Sequence, residues 1–143
     1  VIFNITVIFI GHMTDEDYSN IKYDWRKHAR LQVFMRDLFD QKHEVSGLIY
    51  EEKSKVIALA HYRKMPSPLR GKYIGFLDDL YVHPDHRGTG AVQLLFKELK
   101  GIARQNSWPY VRWITATDNH RARAVYDKIS ETIDFVTYQM PSH

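Results

Sequence analysis

The stretch that most constrains the fold of this chain is Leu77–Val92, LDDLYVHPDHRGTGAV. Its first half is an apolar run that carries two aspartates and stops at Pro84, a pattern typical of a strand. Its second half is punctuated by glycines and leads into a helix. The glycines beside Arg87 let several backbone N–H groups converge at the helix N-terminus, where a phosphate binds. A strand, a tight loop and a helix are therefore predicted, with Arg87 placed to contact a pyrophosphate.

The rest of the chain alternates between strand and helix patterns. Apolar residues at helical spacing predict helices at 14–29, 31–39 and from Val92 onward, and a short helix capped by Asp118 or Asn119. Apolar runs and alternating patterns predict strands at 1–10, 45–50, 55–62, 72–83, 109–117 and 132–139. Met65–Pro68 is predicted to be a mobile surface loop, because two prolines interrupt the strand pattern there.

Composition excludes several classes of protein. The 143 residues fit a single domain, 1–143, and 20 Lys and Arg against 17 Asp and Glu give a net charge of only +3. No basic run exceeds two residues, so a nucleic-acid partner is not expected. The apolar opening Val1–Ile10 is far shorter than the ~20 residues that span a bilayer, so no membrane association is expected. The native start lies either at this opening or near Met13, because Gly11-His12-Met13 is also typical of an expression remnant.

The absence of cysteine limits the chemistry. Disulfides, thiolate metal sites and a cysteine acyl-enzyme are excluded, and no metal is expected. A reducing, cytoplasmic location is the expectation that follows.

Two motifs carry a resemblance to a known family. LYVHPDHRGTG resembles the acyl-CoA signature of the GNAT superfamily of N-acyltransferases, Arg/Gln-x-x-Gly-x-Gly/Ala, in which Arg87 and Gly90 fit and Val92 stands where the family prefers Gly or Ala. Asn119-x-x-Ala122-x-x-x-Tyr126 has the spacing of the family's other signature. The two motifs occur in the family's order, and together they span about half of the chain.

The resemblance implies a fold and a cofactor. The fold class is α/β (α+β), with a splayed, mixed and mostly antiparallel sheet of six to seven strands flanked by about four helices. Strands four and five part, usually at a bulge, so that the pantetheine arm of acetyl-CoA continues the sheet. The implied acetyl-CoA contacts are Leu80, Tyr81, Val82, Arg87, Gly88, Thr89, Gly90, Ala91, Val92, Asn119, Ala122 and Tyr126.

Three side chains are candidates for the transfer chemistry. The phenol of Tyr126 is protonated at neutral pH and can protonate the departing thiolate. Strict alternation places Asp78 among the apolar neighbours of its row, where a carboxylate can take a proton from an ammonium through water, and turns Asp79 to the other face. A bulge would turn both aspartates toward the cleft, where Asp79 would bind a cationic substrate.

Each candidate also has a structural interpretation. The aspartates could instead cap loops or pair with Arg70 or Lys72, and Tyr126 could be a core aromatic. His83, His86 and His120 are further acid-base groups, but histidines in such loops are more often solvated or in contact with phosphate.

The resemblance implies an N-acetyltransferase that moves the acetyl group of acetyl-CoA directly to a primary amine. The sequences LDDLYV and WITATDNHRARAVY look closest to the branch that acetylates polyamines, small amines and sometimes histone tails. The expected partners are a small amine or a peptide amine, and a homodimer is common in the family. The alternative, suggested by Val92, is a catalytically weak CoA-binding regulatory domain.

Overall fold

A computed structural model describes residues 6–10, 44–53 and 55–143 of the chain. These residues form a five-stranded sheet in the order β1-β2-β3-β4-β5, with two α-helices. The strands are β1 (Thr6–Ile10), β2 (Val45–Glu52), β3 (Lys55–Ser67), β4 (Lys72–Val82) and β5 (Val111–Arg112), and the helices are α1 (Ala91–Gln105) and α2 (His120–Ile129). The helices predicted at 14–29 and 31–39 lie outside the described residues.

The sheet is mixed and mostly antiparallel, as predicted. Strands β1 to β4 pair antiparallel in sequence order, whereas β5 pairs parallel to β4. The part of the chain that the structure describes contains five strands and two α-helices, so the larger numbers of six to seven strands and four helices are not confirmed.

The described core lies between the sheet and α1. Alternate residues of β3, including Ala58, Ala60 and Tyr62, are buried on the face that α1 covers. The helix contributes Leu95 and Leu99, four residues apart and both almost fully buried. The helical spacing that starts after Gly90 therefore predicted this element correctly, because the apolar side of the helix is removed from water against the sheet.

The predicted proline loop is wrong. Strand β3 continues through Met65 and Pro66 to Ser67, and Ser67 pairs with Lys72 of β4. Strand β2 pairs with β3 only as far as Arg63, so among the described strands Pro66 has only β4 as a neighbour. A proline is tolerated there because its missing N–H is not needed by a second neighbour.

Strands β4 and β5 stay together over a very short length. Only Gly75 with Val111 and Phe76 with Arg112 are paired, although the sequence predicted a strand over 109–117. Gly75 permits this close approach, since a Cβ at this position would lie 2.8 Å from Cε3 of Trp108. Beyond Phe76 the two segments part, which leaves one edge of β4 open within the described structure.

The strand predicted at 132–139 is also wrong. Residues 131–143 form no helix or strand, and Phe135, Tyr138 and Met140 are largely exposed. The guanidinium of Arg112 lies 5.6 Å from the ring centroid of Phe135, so this segment passes close to β5 without pairing with it. An alternating pattern indicates that a segment can form a strand, but a strand also needs a neighbour with free backbone groups.

A bulge in β4 changes the expected directions of its two aspartates. His61 is opposite Asp79, whereas the next residue of β3, Tyr62, is opposite Leu77, so Asp78 is an extra residue in the ladder. Asp78 and Asp79 consequently interact with Arg63 and His61, which lie on the face of β3 opposite α1. The strict alternation that put the two carboxylates on different faces, with Asp78 in the row of Leu80, is corrected by this bulge.

No helix of the described part is long and apolar enough to cross a membrane.

Candidate functional site

The loop between β4 and α1 is held by contacts with its own backbone. Within the loop, the hydroxyl of Thr89 donates a hydrogen bond to the carbonyl of His86 at 2.5 Å. Nε of Arg87 donates to the carbonyl of Val82 at 3.3 Å, so the loop folds back on the end of β4. These bonds fix the loop before the helix begins.

The two glycines of this loop have backbone conformations that other residues rarely adopt. Gly88 has φ of 79° and Gly90 has φ of 90°, and a Cβ on either would project into open space. Gly90 caps α1, and the first bond of the helix runs from the Leu94 N–H to the Gly90 carbonyl. The N–H groups of the preceding helical residues therefore have no partner within the helix and are available to an anion.

A cleft of about 330 Å³ opens between the end of β4, this loop and α2. It is lined by Leu80, Tyr81, Val82, His86, Arg87, Gly88, Gly90, Ala91, Val92, Gln93, Asn119, Arg121, Ala122, Val125 and Tyr126. The two sequence motifs, which are separated by the whole of α1, thus meet on one cavity.

The cleft includes every residue predicted to contact acetyl-CoA except Thr89. The hydroxyl of Thr89 instead shapes the loop from outside the lining. Gln93, Arg121 and Val125 also line the cleft, although neither sequence motif specifies them, and His86, a further acid-base group of the loop, lines it as well. Helical spacing would have indicated Val125, because it lies three residues after Ala122 on the surface of α2.

The backbone groups of Leu80, Tyr81 and Val82 are all predicted to contact the cofactor, but only some of them lie at the open edge of β4. The His83 N–H donates to the Ile57 carbonyl of β3 at 2.7 Å. Alternation along an antiparallel ladder turns the backbone groups of Tyr81 toward β3 as well. The N–H and C=O groups of Leu80 and the N–H of Val82 therefore point to the open edge, where a ligand can continue the sheet, and the outward C=O of Val82 accepts from Nε of Arg87.

The side chain of Asn119 shapes the start of α2. Its Oδ1 accepts from the Ala122 N–H at 3.4 Å, and its Nδ2 donates to Oγ1 of Thr115 at 3.1 Å. Asn119, rather than Asp118, is thus the N-cap, and its capping position places it at the cleft.

Tyr126 lies in an aromatic cluster at the inner side of α2. The ring centroids of Trp113 and Phe96 are 5.4 Å and 5.9 Å from that of Tyr126. Burial raises the pKa of the Tyr126 phenol above its ordinary value of 10. The hydroxyl is therefore protonated at neutral pH and can donate a proton or a hydrogen bond into the cleft.

The two aspartates do not line the cleft. Asp78 accepts from Nε of Arg63 at 3.0 Å and 3.1 Å through its two oxygens, and Oδ1 of Asp79 is 2.6 Å from Nδ1 of His61. Neither pairs with Arg70 or Lys72. Asp79 directly precedes Leu80, the first residue of β4 that lines the cleft, but both carboxylates lie on the face of the sheet opposite α1. The apolar surroundings predicted for Asp78 are replaced by an ion pair.

No group of three or more His, Cys, Asp or Glu side chains that could hold a metal ion occurs within residues 44–53 and 55–143.

The mixed sheet, the glycine loop and the cleft at the open strand edge together define an α+β protein with an extended cleft that ends at a helix N-terminus. A family model described as the acetyltransferase (GNAT) family matches residues 11–130. The chain therefore belongs to the acetyltransferase (GNAT) family.

Individual relatives support this assignment. The chain is 30% identical over 88 residues to the D-amino-acid N-acetyltransferase HPA3 of Saccharomyces cerevisiae, a match that covers 62% of this chain and 55% of the relative. The chain thus spans about half the length of this curated relative.

Solved structures share the fold across nearly the whole chain. A ribosomal-protein-alanine N-acetyltransferase from Brucella melitensis biovar Abortus 2308 superposes with a TM-score of 0.78 at 20% identity, over 96% of this chain and 98% of that one. An aminoglycoside N-acetyltransferase, AAC(6')-Iy, solved in complex with CoA, superposes with a TM-score of 0.69 at 15% identity, over 96% and 99%.

The glycine loop yields a first prediction. Gly90→Ala should weaken acetyl-CoA binding about tenfold or more, because a left-handed residue with a Cβ is strained by about 1–2 kcal/mol and its methyl enters the cleft. Gly101→Ala is the control, since its Cβ meets open space in the middle of α1. Isothermal titration with acetyl-CoA measures both. Equal affinities would show that the loop does not hold the ligand.

The open strand edge yields a second prediction. Leu80→Pro removes an outward N–H but no bond to β3, so the variant should fold and bind acetyl-CoA about tenfold more weakly, the loss expected for one hydrogen bond. Leu80→Ala loses the side chain and keeps the N–H, so it should bind nearly as well as the parent chain. Equal affinities for the two variants would contradict pairing of the ligand with this edge.

Proposed function

We propose that the protein is an N-acetyltransferase that transfers the acetyl group of acetyl-CoA directly to a primary amine within a ternary complex. The observation that carries this proposal is the cleft in which the open edge of β4, the glycine loop and Tyr126 meet. Family membership supports acetyl-CoA as the donor.

The proposed binding of acetyl-CoA uses mainly backbone groups. The loop Arg87–Gly90 and the first N–H groups of α1 would hold the pyrophosphate, with the guanidinium of Arg87 adding a positive charge. The outward groups of Leu80 and Val82 would bond the pantetheine arm. Asn119 and Ala122, at the start of α2, would contact the same arm from the opposite side of the cleft.

The proposed chemistry needs a proton donor and a proton acceptor. The amine nitrogen bonds to the acetyl carbon as the carbon–sulfur bond breaks, and Tyr126 gives its proton to the sulfur. The amine loses its proton to Asp78 through water, the role predicted for that carboxylate, and this route requires Arg63 to release one of the two Asp78 oxygens that it holds. The absence of cysteine agrees with a transfer that forms no thioester on the enzyme.

The proposed acceptor is a cationic amine. Asp78 and Asp79 form an acidic pair beside the cleft, and the Asp79 side chain is 62% exposed. A polyamine carries a second positive charge that this carboxylate can bind. The related yeast enzyme is named for D-amino acids, so amino acids are the competing acceptor class.

A prediction follows for Tyr126. Tyr126→Phe keeps the ring against Trp113 and Phe96 but removes the proton, so kcat should fall by about 10²- to 10⁴-fold with acetyl-CoA affinity nearly unchanged. In the parent enzyme the rate should fall only above pH 10, because deprotonation of the donor abolishes its function and burial raises its pKa. The variant should lack this basic limb. Steady-state rates from pH 6 to 10.5 provide the measurement.

The matched control for this variant is Tyr110→Phe, which removes a phenol that does not line the cleft. If Tyr126→Phe stays within about threefold of the parent enzyme at every pH, Tyr126 is a packing residue and not the proton donor.

The acceptor class yields a further prediction. A screen that detects free CoA thiol should rank polyamines above neutral amino acids, because only a polyamine retains a charge for Asp79 after its reacting amine is deprotonated. Asp79→Asn should raise KM for polyamines more than it lowers kcat, as expected for lost ground-state binding. A higher rate with D-amino acids would overturn the polyamine assignment. Acetyl-CoA binding without turnover on any amine would instead favour the regulatory domain.

Direct transfer predicts the form of the initial-rate kinetics. Double-reciprocal plots at several fixed amine concentrations should intersect, because both substrates must be bound before either product leaves. Parallel lines would indicate an acetylated side chain and would overturn the ternary-complex mechanism. Mass spectrometry of the protein after incubation with acetyl-CoA alone is the independent check.

A further inference from the structure

The face of the sheet opposite α1 carries two neighbouring pairs of an acidic and a basic side chain, and both pairs join β3 to β4. His61 of β3 is paired in register with Asp79 of β4, and Arg63 of β3 holds Asp78, the bulged residue. Both basic partners therefore come from alternate positions of one strand, and the sheet itself sets their spacing.

The two pairs differ in how much of each carboxylate they leave available. Nε of Arg63 bonds both oxygens of Asp78 at 3.0 Å and 3.1 Å, and the guanidinium also lies 5.2 Å from the ring centroid of Phe76. His61 contacts only Oδ1 of Asp79, at 2.6 Å. Within the described residues, Oδ2 of Asp79 has no hydrogen-bond partner, so it is the oxygen that can accept a bond from a ligand.

The burial of the His61–Asp79 pair is strongly asymmetric. The side chain of His61 is 10% exposed, whereas that of Asp79 is 62% exposed. An ion pair between two exposed side chains is weak because both side chains must be ordered. Here the imidazole is already fixed by the packing of the sheet, so the 2.6 Å contact orders the carboxylate without ordering a second mobile side chain.

We propose that His61 is a positioning residue, which fixes the carboxylate of Asp79 so that its second oxygen binds the distal ammonium of a cationic acceptor. This inference rests on the proposed function, because it assigns a partner to the acceptor-binding residue of that site. The carboxylate accepts, so Nδ1 of His61 is the donor, and a neutral imidazole satisfies this with one N–H.

The test compares two substitutions at position 61. His61→Leu removes the donor and keeps an apolar side chain at a buried position. His61→Asn carries an amide N–H on Cγ, where Nδ1 stands in histidine, and therefore keeps the bond to Asp79. We expect His61→Leu to raise KM for a polyamine about tenfold, with kcat and acetyl-CoA affinity changed less than about twofold. His61→Asn should return KM to within about threefold of the parent value.

An acceptor with a single amine and no second charge is the matched substrate control. Its KM should be the same in all three proteins, because it lacks the group that Asp79 would bind. If KM for the polyamine is unchanged in His61→Leu, or if His61→Asn is impaired as much as His61→Leu, the positioning role is overturned. Loss of acetyl-CoA affinity in both variants would also overturn it, since that result indicates a role in folding.

A double-mutant cycle covers the case in which His61→Leu folds poorly. His61→Asn and His61→Gln are then compared in the parent enzyme and in the Asp79→Ala background, because Gln carries its amide farther from Asp79 than Asn does. The Asn-to-Gln difference in KM should be present in the parent enzyme and absent once Asp79 is removed. An equal difference in both backgrounds overturns the proposal. Absence of any amine acetylation by the parent enzyme would instead reject the proposed function.

Discussion

The hydrogen bonding of β4 is the constraint on which the described structure depends. This strand is paired with β3 from Lys72 to Val82, but with β5 only at Gly75 and Phe76. Backbone groups that no neighbour satisfies must meet water or a ligand. Within the described residues, the end of β4 therefore has β3 as a rigid scaffold on one side and an edge without a partner strand on the other. The glycine loop and the start of α1 are placed directly after this free edge, so that one extended ligand can reach all three.

Features that depend on local chemistry were predicted well from the sequence. The helix after Gly90 follows from apolar spacing, and a cap at Asp118 or Asn119, of which the structure uses Asn119, follows from the preference of short polar side chains for free N–H groups. The loop at Arg87 requires positive φ at Gly88 and Gly90, which few other residues adopt. These signals lie within a few residues of the feature they determine. The residues that carry them, Arg87, Gly88, Gly90 and Asn119, all line the cleft.

Features that depend on the pairing of distant segments were predicted poorly. The length of β5 is decided by how long the segment after Trp108 stays beside Gly75, and the extension of β3 through Pro66 is decided by where β2 ends. The directions of Asp78 and Asp79 depend on one extra residue in the pairing of β4 with β3. Their partners in β3 are 15 and 18 positions away in the sequence. Alternation along a single strand contains no information about such a bulge.

The bulge also determines which changes of length this strand can accept. With either aspartate removed, Leu77 would still stand opposite Tyr62, the remaining aspartate would stand opposite His61, and Leu80 would keep its place opposite Ala60. Loss of one residue elsewhere in the strand would exchange its two faces on one side of the deletion. The loss of one codon at this position therefore changes the surface from two carboxylates to one, and its gain restores the second. In both cases every other residue of the strand keeps its register and its face. A single insertion or deletion at this bulge therefore alters the charge of this surface without a compensating change in the core.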